Sequence, residues 1–362
     1  MRDRYDVIVV GARVAGSTLS ALLGDKGISV LLLDRARFPS TTPSTHFFRG
    51  AGLVGVLDRL GVLDAVLGLG CPPLTREFFY DDGGAEPAEG PPQDPGVAGY
   101  CLSVRREPLD SILLNRARAT GTVEFAEHAK VADLLWEGDR VAGVRLADGR
   151  RAHAGLVVGA DGRHSLVARK VRAALEHETP PCRALYYRYV SGFTGPDGAP
   201  PDAAEFSQLG DELAYIFPSD SGLTCVAVSV NLETFRRLRE DFEPRFAERI
   251  ARHAGLADRV ATAEADGRVA GCGPERSHVR VPWGRGWALV GDAGIHQDPW
   301  SGLGMDMASV HATFLADAIS DWLQGPADER TAFAGYHERR NAHALDAYNE
   351  TVTLAADLSA LA

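Results

Sequence analysis

The first thirty-four residues constrain this chain most. An apolar run at 6–10 leads directly into Gly-Ala-Arg-Val-Ala-Gly at 11–16, and a helix-like stretch follows at 17–24. A second apolar run at 28–33 ends on Asp34. Strand, tight turn, helix, strand and acid follow one another in the order of a dinucleotide-binding βαβ unit. The sequence therefore predicts such a unit at the start of the chain.

Each part of this pattern has a physical task. Gly11 lets the chain turn sharply off the strand, and Gly16 lets the helix pack closely on it. The helix N-terminus offers free N–H groups and a positive dipole end to a pyrophosphate. The carboxylate of Asp34 can accept hydrogen bonds from the hydroxyls of a ribose. The pattern departs from its usual form at Arg13, where a glycine is expected. From this segment alone, a βαβ fold without a nucleotide stays open.

Composition excludes several classes of protein. The net charge of −11 argues against nucleic acid or an anionic membrane as a partner. No stretch of about 18 apolar residues predicts a membrane span. The five cysteines form neither a C-x-x-C pair nor a metal-ligand cluster, so we expect no metal and reduced thiols in a cytoplasmic protein. The charged start running into the first strand predicts no signal peptide.

The change of hydrophobic pattern along the chain predicts two interleaved domains. Residues 122–158 alternate as strands, residues 180–275 carry aromatic antiparallel patterns, and residues 284–323 return to a βα pattern. We predict the cofactor-binding domain in three parts and the substrate domain in two, followed by closing helices. The cofactor parts are 1–75, 101–180 and 281–325, the substrate parts are 76–100 and 181–280, and the helices occupy 326–362.

In two later segments, an apolar strand is again followed by a glycine-containing turn, and here the turn also contains an aspartate. One is Gly-Ala-Asp-Gly at 159–162, directly after an apolar strand. The other is the strand 287–290 followed by Gly291 and Asp292, which continues to a glycine-rich loop at 302–305 and a helix. Each segment alone is a modest signal, and the first alone is more often a plain turn. Together the three segments are specific.

These three segments resemble those of the FAD-dependent monooxygenases of the aromatic-hydroxylase type, the group that includes para-hydroxybenzoate hydroxylase, and of their geranylgeranyl-reductase-like relatives. The resemblance spans about residues 5–325 and is weakest in the middle. It implies an α/β fold: a Rossmann-like FAD-binding domain of the GR2 type with an inserted antiparallel-sheet substrate domain and C-terminal helices. It also implies FAD as cofactor, NAD(P)H as transient reductant, and molecular oxygen and a small molecule as substrates.

The resemblance also assigns roles to single residues. The carboxylate of Asp292 is expected to bind a ribityl hydroxyl of FAD. The backbone N–H groups of the loop Gly302-Leu303-Gly304-Met305 are expected to lie against the pyrimidine edge of the flavin. The side chain of Arg13 is expected to reach over the pyrophosphate. The complete set of expected cofactor-binding residues is Gly11, Arg13, Val14, Ala15, Gly16, Asp34, Arg35, Thr45, Arg106, Val131, Asp161, Gly291, Asp292, Pro299, Gly302, Leu303, Gly304 and Met305.

No catalytic triad is visible, and flavin oxygenation requires none, because the protein positions the substrate and excludes water. His46 and His296 are candidates to face the flavin, although a lone histidine is more often structural. Tyr187, Phe217 and Trp300 are the candidate substrate contacts, although Trp300 also suits plain core packing. Because tyrosines 186, 187 and 189 alternate faces of a strand, at least one must point away from any pocket.

Three flavin reactions fit these features. The resemblance favours hydroxylation of an aromatic or polyketide-like molecule through a flavin C4a-hydroperoxide, in secondary metabolism. Reduction of isoprenoid double bonds is the alternative. Halogenation ranks lower, because its relatives use a lysine in the early flavin module and a Trp-x-Trp-x-Ile-Pro motif, and this chain has no lysine between Lys26 and Lys130. A scaffold that has lost FAD, suggested by Arg13, is the non-enzymatic alternative.

Overall fold

A computed structural model describes residue 2 and residues 4–44, 46–238 and 241–361 of the chain. Helices and strands alternate first and then segregate, as expected for a fold with an inserted sheet. The strands are β1 Arg4–Val10, β2 Val30–Leu33, β3 Phe47–Phe48, β4 Arg76–Tyr80, β5 Ala88–Gly90, β6 Leu102–Ser103, β7 Val123–Ala126, β8 Val131–Glu137, β9 Arg140–Leu146, β10 Arg151–Gly159, β11 Leu175–Thr179, β12 Arg183–Ser191, β13 Ala203–Leu209, β14 Glu212–Pro218, β15 Leu223–Asn231, β16 Glu264–Cys272, β17 Ser277–Arg280, β18 Trp283–Gly284, β19 Trp287–Leu289 and β20 Ile295–His296. The helices are α1 Val14–Asp25, α2 Gly55–Arg59, α3 Leu63–Leu67, α4 Arg106–Ala119, α5 Leu166–Lys170, α6 Leu232–Leu238, α7 Phe242–Ile250, α8 Ala254–Thr262, α9 Gly304–Leu323 and α10 Glu329–Leu354.

The first sheet has a parallel centre in the order β19-β10-β1-β2-β7, with β18 at one end and the β8–β9 hairpin attached to β10. Every residue of β2 is buried, and β1 is buried from Val7 to Val10. Uninterrupted apolar strands are typical of a parallel sheet that is covered on both faces. Helices α1, α4 and α9 pack on one face, and the β8–β9 hairpin and α5 cover the other. The expected Rossmann-like unit is confirmed.

The second sheet has seven strands in the order β16-β12-β15-β14-β13-β4-β5, and most of its pairs are antiparallel. Its two faces form separate cores, because alternate residues of a strand point to opposite sides. Tyr186 points to the outer core and packs on Phe235 and Phe242. Tyr187 and Phe217 point to the inner core, which we call the aromatic face.

The apolar residues Leu53, Val56, Leu57 and Leu60 have helical spacing, which indicates helix over 52–67. The structure has a π-helical turn at 50–54 followed by the two short helices α2 and α3. Gly61, between α2 and α3, has a φ of +68°, which a continuing helix cannot accommodate. Gly52 has non-helical backbone angles, and a Cβ there would lie 2.2 Å from the carboxylate of Asp306 on α9.

Helices α9 and α10 pack on each other and bring the end of the chain back to the second sheet. Two small sheets complete the fold, one with three strands in the order β11-β17-β20 and one formed by β3 and β6. Within the described ranges, no helix has both the length and the apolar character needed to cross a membrane.

We predict that acid destabilises the protein through His278 on β17. Burial, with Arg280 and His296 nearby, lowers the pKa of His278 to about 4. Between the unfolded value of about 6.5 and this folded value, the unfolded chain binds a proton that the folded chain does not. The free energy of unfolding should therefore fall by up to about 3 kcal/mol as the pH drops through this window.

Urea unfolding at several pH values between 7.5 and 4 measures this effect. The variant His278→Gln should flatten the dependence on pH, and the matched variant His153→Gln, at an exposed position of β10, should leave it unchanged. An equal slope in wild type and His278→Gln would contradict the assignment.

Candidate functional site

Three separated loops leave the same edge of the parallel sheet. The amide of Ala160 donates to the carbonyl of Val10 (2.8 Å), and the amide of Val290 donates to the carbonyl of Gly159 (3.0 Å). The strands β1, β10 and β19 are parallel neighbours, so their carboxyl ends lie side by side. The turns beginning at residues 11, 160 and 290 are thereby brought together, at the edge where open α/β sheets bind ligands.

Glycine is required where these loops touch. Gly11 has a φ of +107°, and a Cβ there would lie 2.3 Å from the carbonyl oxygen of Ala160. A Cβ on Gly16 would lie 1.8 Å from the carbonyl oxygen of Gly11. Gly291 has a φ of +62°, and its Cβ would meet that of Ala15 at 3.0 Å. The third segment therefore contacts the first turn of α1, beside Val14 and Ala15.

Asp34 holds the first turn in place. Its carboxylate accepts hydrogen bonds from the amides of Ala12 and Ala36, each at 2.8 Å. Both oxygens keep lone pairs for further donors such as ribose hydroxyls. The adjacent Arg35 is exposed. The amide of Ala129 donates to the carbonyl of Asp34 (2.8 Å), which brings the start of β8, with Val131, beside this site.

Arg13 and Arg106 share one buried carboxylate. Asp110 is fully buried and accepts from Arg13 (2.7 Å) and from Arg106 (3.0 Å). Arg13 also donates to the carbonyl of Ser40 (2.8 Å) and lies over the ring of Phe38. The structure thus fixes Arg13 beside the N-terminus of α1. Sequence reasoning missed Asp110, although its spacing of four from Arg106 on a predicted helix is a signal for an ion pair.

The side chain of Asp161 is engaged by its own helix. Its carboxylate accepts from the hydroxyl of Ser165 (2.5 Å) and from the amides of Leu166 (2.7 Å) and Val167 (3.2 Å). Burial raises the pKa of this carboxyl, and the hydrogen bonds oppose that effect. The backbone of Asp161 borders Gly11. A direct contact of its side chain with the cofactor stays a prediction.

Asp292 is an accessible anion at the same edge. Burial alone would raise its pKa, but the hydrogen bond with His296 and the positive charges of Arg163 and Arg106 outweigh it and hold the pKa below its usual range. His296 Nδ1 lies 3.4 Å from the carboxylate, and 37% of the Asp292 side chain stays accessible. A recessed carboxylate of this kind can accept a hydrogen bond from a sugar hydroxyl.

The glycine-rich loop ends in the first turn of α9. Gly302 has a φ of +70°, and a Cβ on Gly304 would point into open space. Asp298 caps the short turn that holds Pro299 by accepting from the amide of Trp300 (3.1 Å). The first amides of a helix have no intrahelical partner. Leu303, Gly304 and Met305 belong to the first turn of α9, whose amides have no acceptor within the helix and can donate to an anion.

An unforeseen contact fixes the start of α9. Asp306 accepts from the amides of Arg49 (3.1 Å) and Leu53 (2.9 Å), and the guanidinium of Arg49 lies 3.5 Å from its carboxylate. Burial raises the pKa of Asp306 to about 6, although Arg49 opposes the shift. A Cβ on Gly52 would lie 2.2 Å from this carboxylate. Residues 257 positions apart make this contact, so no local pattern indicates it.

His46 packs against the aromatic face. Its ring centre is 5.0 Å from that of Tyr187 and 5.4 Å from that of Tyr189. The backbone of His46 has a φ of +65°. Burial, with Arg106 and Arg105 nearby, lowers its pKa to about 3, so the ring is neutral. Ser44, two residues earlier, contacts Met305 (3.8 Å). The predicted contact Thr45 lies outside the described residues.

The three candidate substrate contacts converge on the aromatic face. Tyr187 and Phe217 are buried there, and Trp300 packs against the same core. Phe217 stacks on Phe47 with ring centres 4.7 Å apart. The indole N–H of Trp300 donates to the carbonyl of Thr351 (2.9 Å). Their contact with a substrate stays a prediction.

Unsatisfied polar atoms collect around this space. Buried polar groups are normally hydrogen-bonded, so such atoms indicate a missing partner. Among the residues that the structure describes, the following buried atoms have no hydrogen-bond partner near the cleft: His46 Nδ1, Tyr189 Oη, His296 Nε2 and Gln297 Oε1. Together with the helix N-termini, the carboxylates of Asp34 and Asp292 and the glycine turns, they fit a long dinucleotide that carries a polar ring.

Comparison with known proteins decides the family. The family model described as "FAD binding domain" matches residues 4–351. The chain belongs to this family. Its FAD-binding fold and its FAD cofactor, both expected from the three segments, are thereby confirmed.

Individual relatives include different flavin enzymes. The chain is 29% identical to digeranylgeranylglycerophospholipid reductase 2 of Methanothermobacter thermautotrophicus, over 93% of this chain and 83% of the relative. It is 28% identical to kynurenine 3-monooxygenase of Salinispora tropica, over 94% and 78%. The structure of the myxobacterial chondrochloren halogenase CndH superposes with a TM-score of 0.85 at 25% identity, covering 96% and 82%. This FAD-binding family member is a flavin oxidoreductase of the monooxygenase type.

We predict that Gly16→Ala abolishes FAD binding, because the added Cβ would meet the carbonyl of Gly11 at 1.8 Å. Overpacking of this kind also costs about 1–3 kcal/mol of stability. Flavin absorbance of the purified protein and its thermal unfolding measure both effects. Gly335→Ala, in α10 with open space around its Cβ, is the matched control and should bind FAD as wild type does.

We predict that Asp110→Ala weakens FAD binding and lowers the free energy of unfolding by about 3 kcal/mol, because two arginines lose a fully buried partner. Titration with FAD and urea unfolding measure the two effects. Glu107→Gln, exposed on the same helix, is the control. Unchanged affinity in Asp110→Ala would show that Arg13 and Arg106 act independently of this carboxylate.

Proposed function

We propose that this chain is an FAD- and NAD(P)H-dependent monooxygenase that hydroxylates an aromatic or polyketide-like small molecule. The observation that carries the proposal is the aromatic face, on which His46 packs through Tyr187, two residues after Ser44, which contacts Met305 of the glycine-rich loop. Rings that pack edge-to-face or stacked, such as Phe47 on Phe217, form walls complementary to another flat ring.

The bound FAD supplies the redox chemistry that activates molecular oxygen. The protein residues place and shield the substrate. Tyr187 and Phe217 exclude water from one side, which favours oxygenation over loss of the activated oxygen. Asp292 and the first turn of α9 orient the cofactor from the other side. The reaction therefore depends on positioning, in agreement with the lack of a nucleophilic triad in the sequence.

His46 is suited to orient a substrate hydroxyl. Because its pKa is about 3, the ring is neutral at physiological pH and can accept or donate one hydrogen bond. Its Nδ1 has no hydrogen-bond partner among the described residues, and neither has the Oη of Tyr189, whose ring centre lies 5.4 Å from that of His46. A phenolic or enolic hydroxyl could form a hydrogen bond with either atom.

The test is oxygen incorporation. The purified yellow protein should oxidise NADPH or NADH faster when a phenol panel is added, and the product should carry oxygen from ¹⁸O₂. Stimulated oxidation that yields a product without this oxygen would overturn the proposal.

We predict that His46→Asn lowers kcat/KM for such a phenol about tenfold through loss of one hydrogen bond, with FAD affinity unchanged. Asparagine tolerates the positive φ at this position. Steady-state kinetics and FAD titration measure the change, and the exposed variant His153→Gln serves as the control. Equal kcat/KM in both variants would remove His46 from the substrate site.

Reduction of isoprenoid double bonds is the second candidate, favoured by the similarity to the archaeal reductase over 93% of the chain. Turnover of prenyl diphosphates without oxygen distinguishes it. For halogenation, the position of the lysines offers no support. Lys26 pairs with Asp317 (3.7 Å), Lys170 pairs with Asp133 (3.0 Å), and Lys130 is exposed. None of the three belongs to the aromatic face.

A further inference from the structure

A small open cavity lies on the outer side of the second sheet, at the turn between β13 and β14. We call it the hairpin pocket. Its volume is about 290 Å³, near the lower end of the range of about 300–1,000 Å³ that is usual for small-molecule sites. The polar side chains in its lining are those of Asp211, Glu212, Asn231, Thr234, Arg249 and Arg252.

Two arginines of this lining share one buried carboxylate. The Oε2 atom of Glu212 accepts from Arg249 (3.1 Å) and from Arg252 (3.3 Å). The Oε1 atom lies 3.3 Å from the Nε2 atom of the fully buried His253, whose Nδ1 atom lies 2.9 Å from the hydroxyl of Ser207. Both oxygens of Glu212 are therefore engaged, and the carboxylate is fixed at the floor of the pocket.

The charged groups around the pocket leave an excess of positive charge. Arg249 and Arg252 pair with the same carboxylate, that of Glu212. Asp211 does not balance them, because the fully buried guanidinium of Arg183 pairs with it at 2.5 Å. Three arginines thus meet two carboxylates, in a chain whose net charge is −11. A local excess of this kind attracts an anion.

The two guanidinium groups keep donors for such an anion. Among the contacts of the described residues, Arg249 and Arg252 each donate to Glu212 through Nη1 alone, whereas a guanidinium has five N–H donors. Their side chains are 24% and 48% exposed, so the remaining donors can be reached from solvent. The planar fork of N–H groups matches the oxygens of a phosphate.

We propose that the hairpin pocket binds a phosphate group, held by Arg249 and Arg252. The site is separate from the aromatic face, because Glu212 and Phe217 lie an odd number of residues apart on β14 and therefore point to opposite sides. The proposal is thus independent of the proposed function. Glu212 repels the anion, so we expect a dissociation constant of about 1 mM, in the range of a few charge-assisted hydrogen bonds.

The experiment titrates inorganic phosphate into the FAD-loaded protein and follows the heat of binding and thermal unfolding. Phosphate at about 20 mM should raise the midpoint of unfolding by about 2 °C. Sodium chloride at the same ionic strength should not, because it screens charges without occupying the pocket. Glycerol 3-phosphate is the second probe. Equal or tighter binding of this ester shows that the pocket accepts a phosphate carried by an organic molecule, and binding of inorganic phosphate alone shows a site for the free ion.

Arg252→Gln should weaken phosphate binding at least about fivefold through loss of a charge-assisted contact. Because Arg252 is half-exposed, this variant should fold as wild type does. Arg245→Gln is the matched control, since Arg245 lies on the preceding helix, is 45% exposed and pairs with Glu248 (3.3 Å). It should bind phosphate as wild type does.

Glu212→Gln tests the charge balance in the opposite direction. It removes the repulsion and releases both arginines, so phosphate should bind about tenfold more tightly. If this variant does not fold, Arg249→Gln repeats the test of Arg252→Gln from the other arginine. Equal phosphate affinity in Arg252→Gln and Arg245→Gln, or a shift of the midpoint that sodium chloride reproduces, would overturn the proposal and leave an adventitious ion only.

Discussion

The parallel pairing of β1 with β10 and of β10 with β19 is the constraint on which the site depends. It places three chain segments that are more than a hundred residues apart at one edge of a sheet. Their turns approach so closely that Gly11 and Gly16 have no space for a Cβ, and Gly291, with a φ of +62°, packs tightly against Ala15. Backbone N–H groups and carboxylates can then surround one extended ligand, because no side chain separates them.

The second sheet adds a function that the first cannot supply. Its outer face is covered by helices and forms one core. Its inner face forms a second core with residues from outside the sheet, among them Phe47 of β3 and Trp300, and His46 packs on Tyr187. Under the proposed function, this contact between the aromatic face and the segments near the glycine-rich loop is where a substrate would lie, because ligand sites commonly form where two such units meet.

Much of this arrangement follows from the sequence, for identifiable reasons. Gly16 and Asp34 lie in a local pattern of fixed spacing, and strand periodicity assigns Tyr186 and Tyr187 to opposite faces. A local sequence pattern does not indicate which distant segments contact each other in the fold. The contacts of Asp306 with Arg49 and of Asp110 with Arg13 were therefore missed. The helical spacing over 52–67 corresponds to a π-helical turn and two short helices, with Gly61 at a positive φ between α2 and α3. The roles of single residues at the cofactor stay predictions.

Asp306 has a consequence for the charge at the beginning of α9. Burial raises the pKa of this carboxyl to about 6, so it changes between an anion and a neutral acid within the physiological range. As an anion, Asp306 partly neutralises the positive end of the helix dipole. The guanidinium of Arg49, 3.5 Å away, in turn partly neutralises the charge of Asp306. The charge at the first turn of α9 therefore depends on the protonation state of one aspartate and on its arginine neighbour, where an amide would give a constant charge.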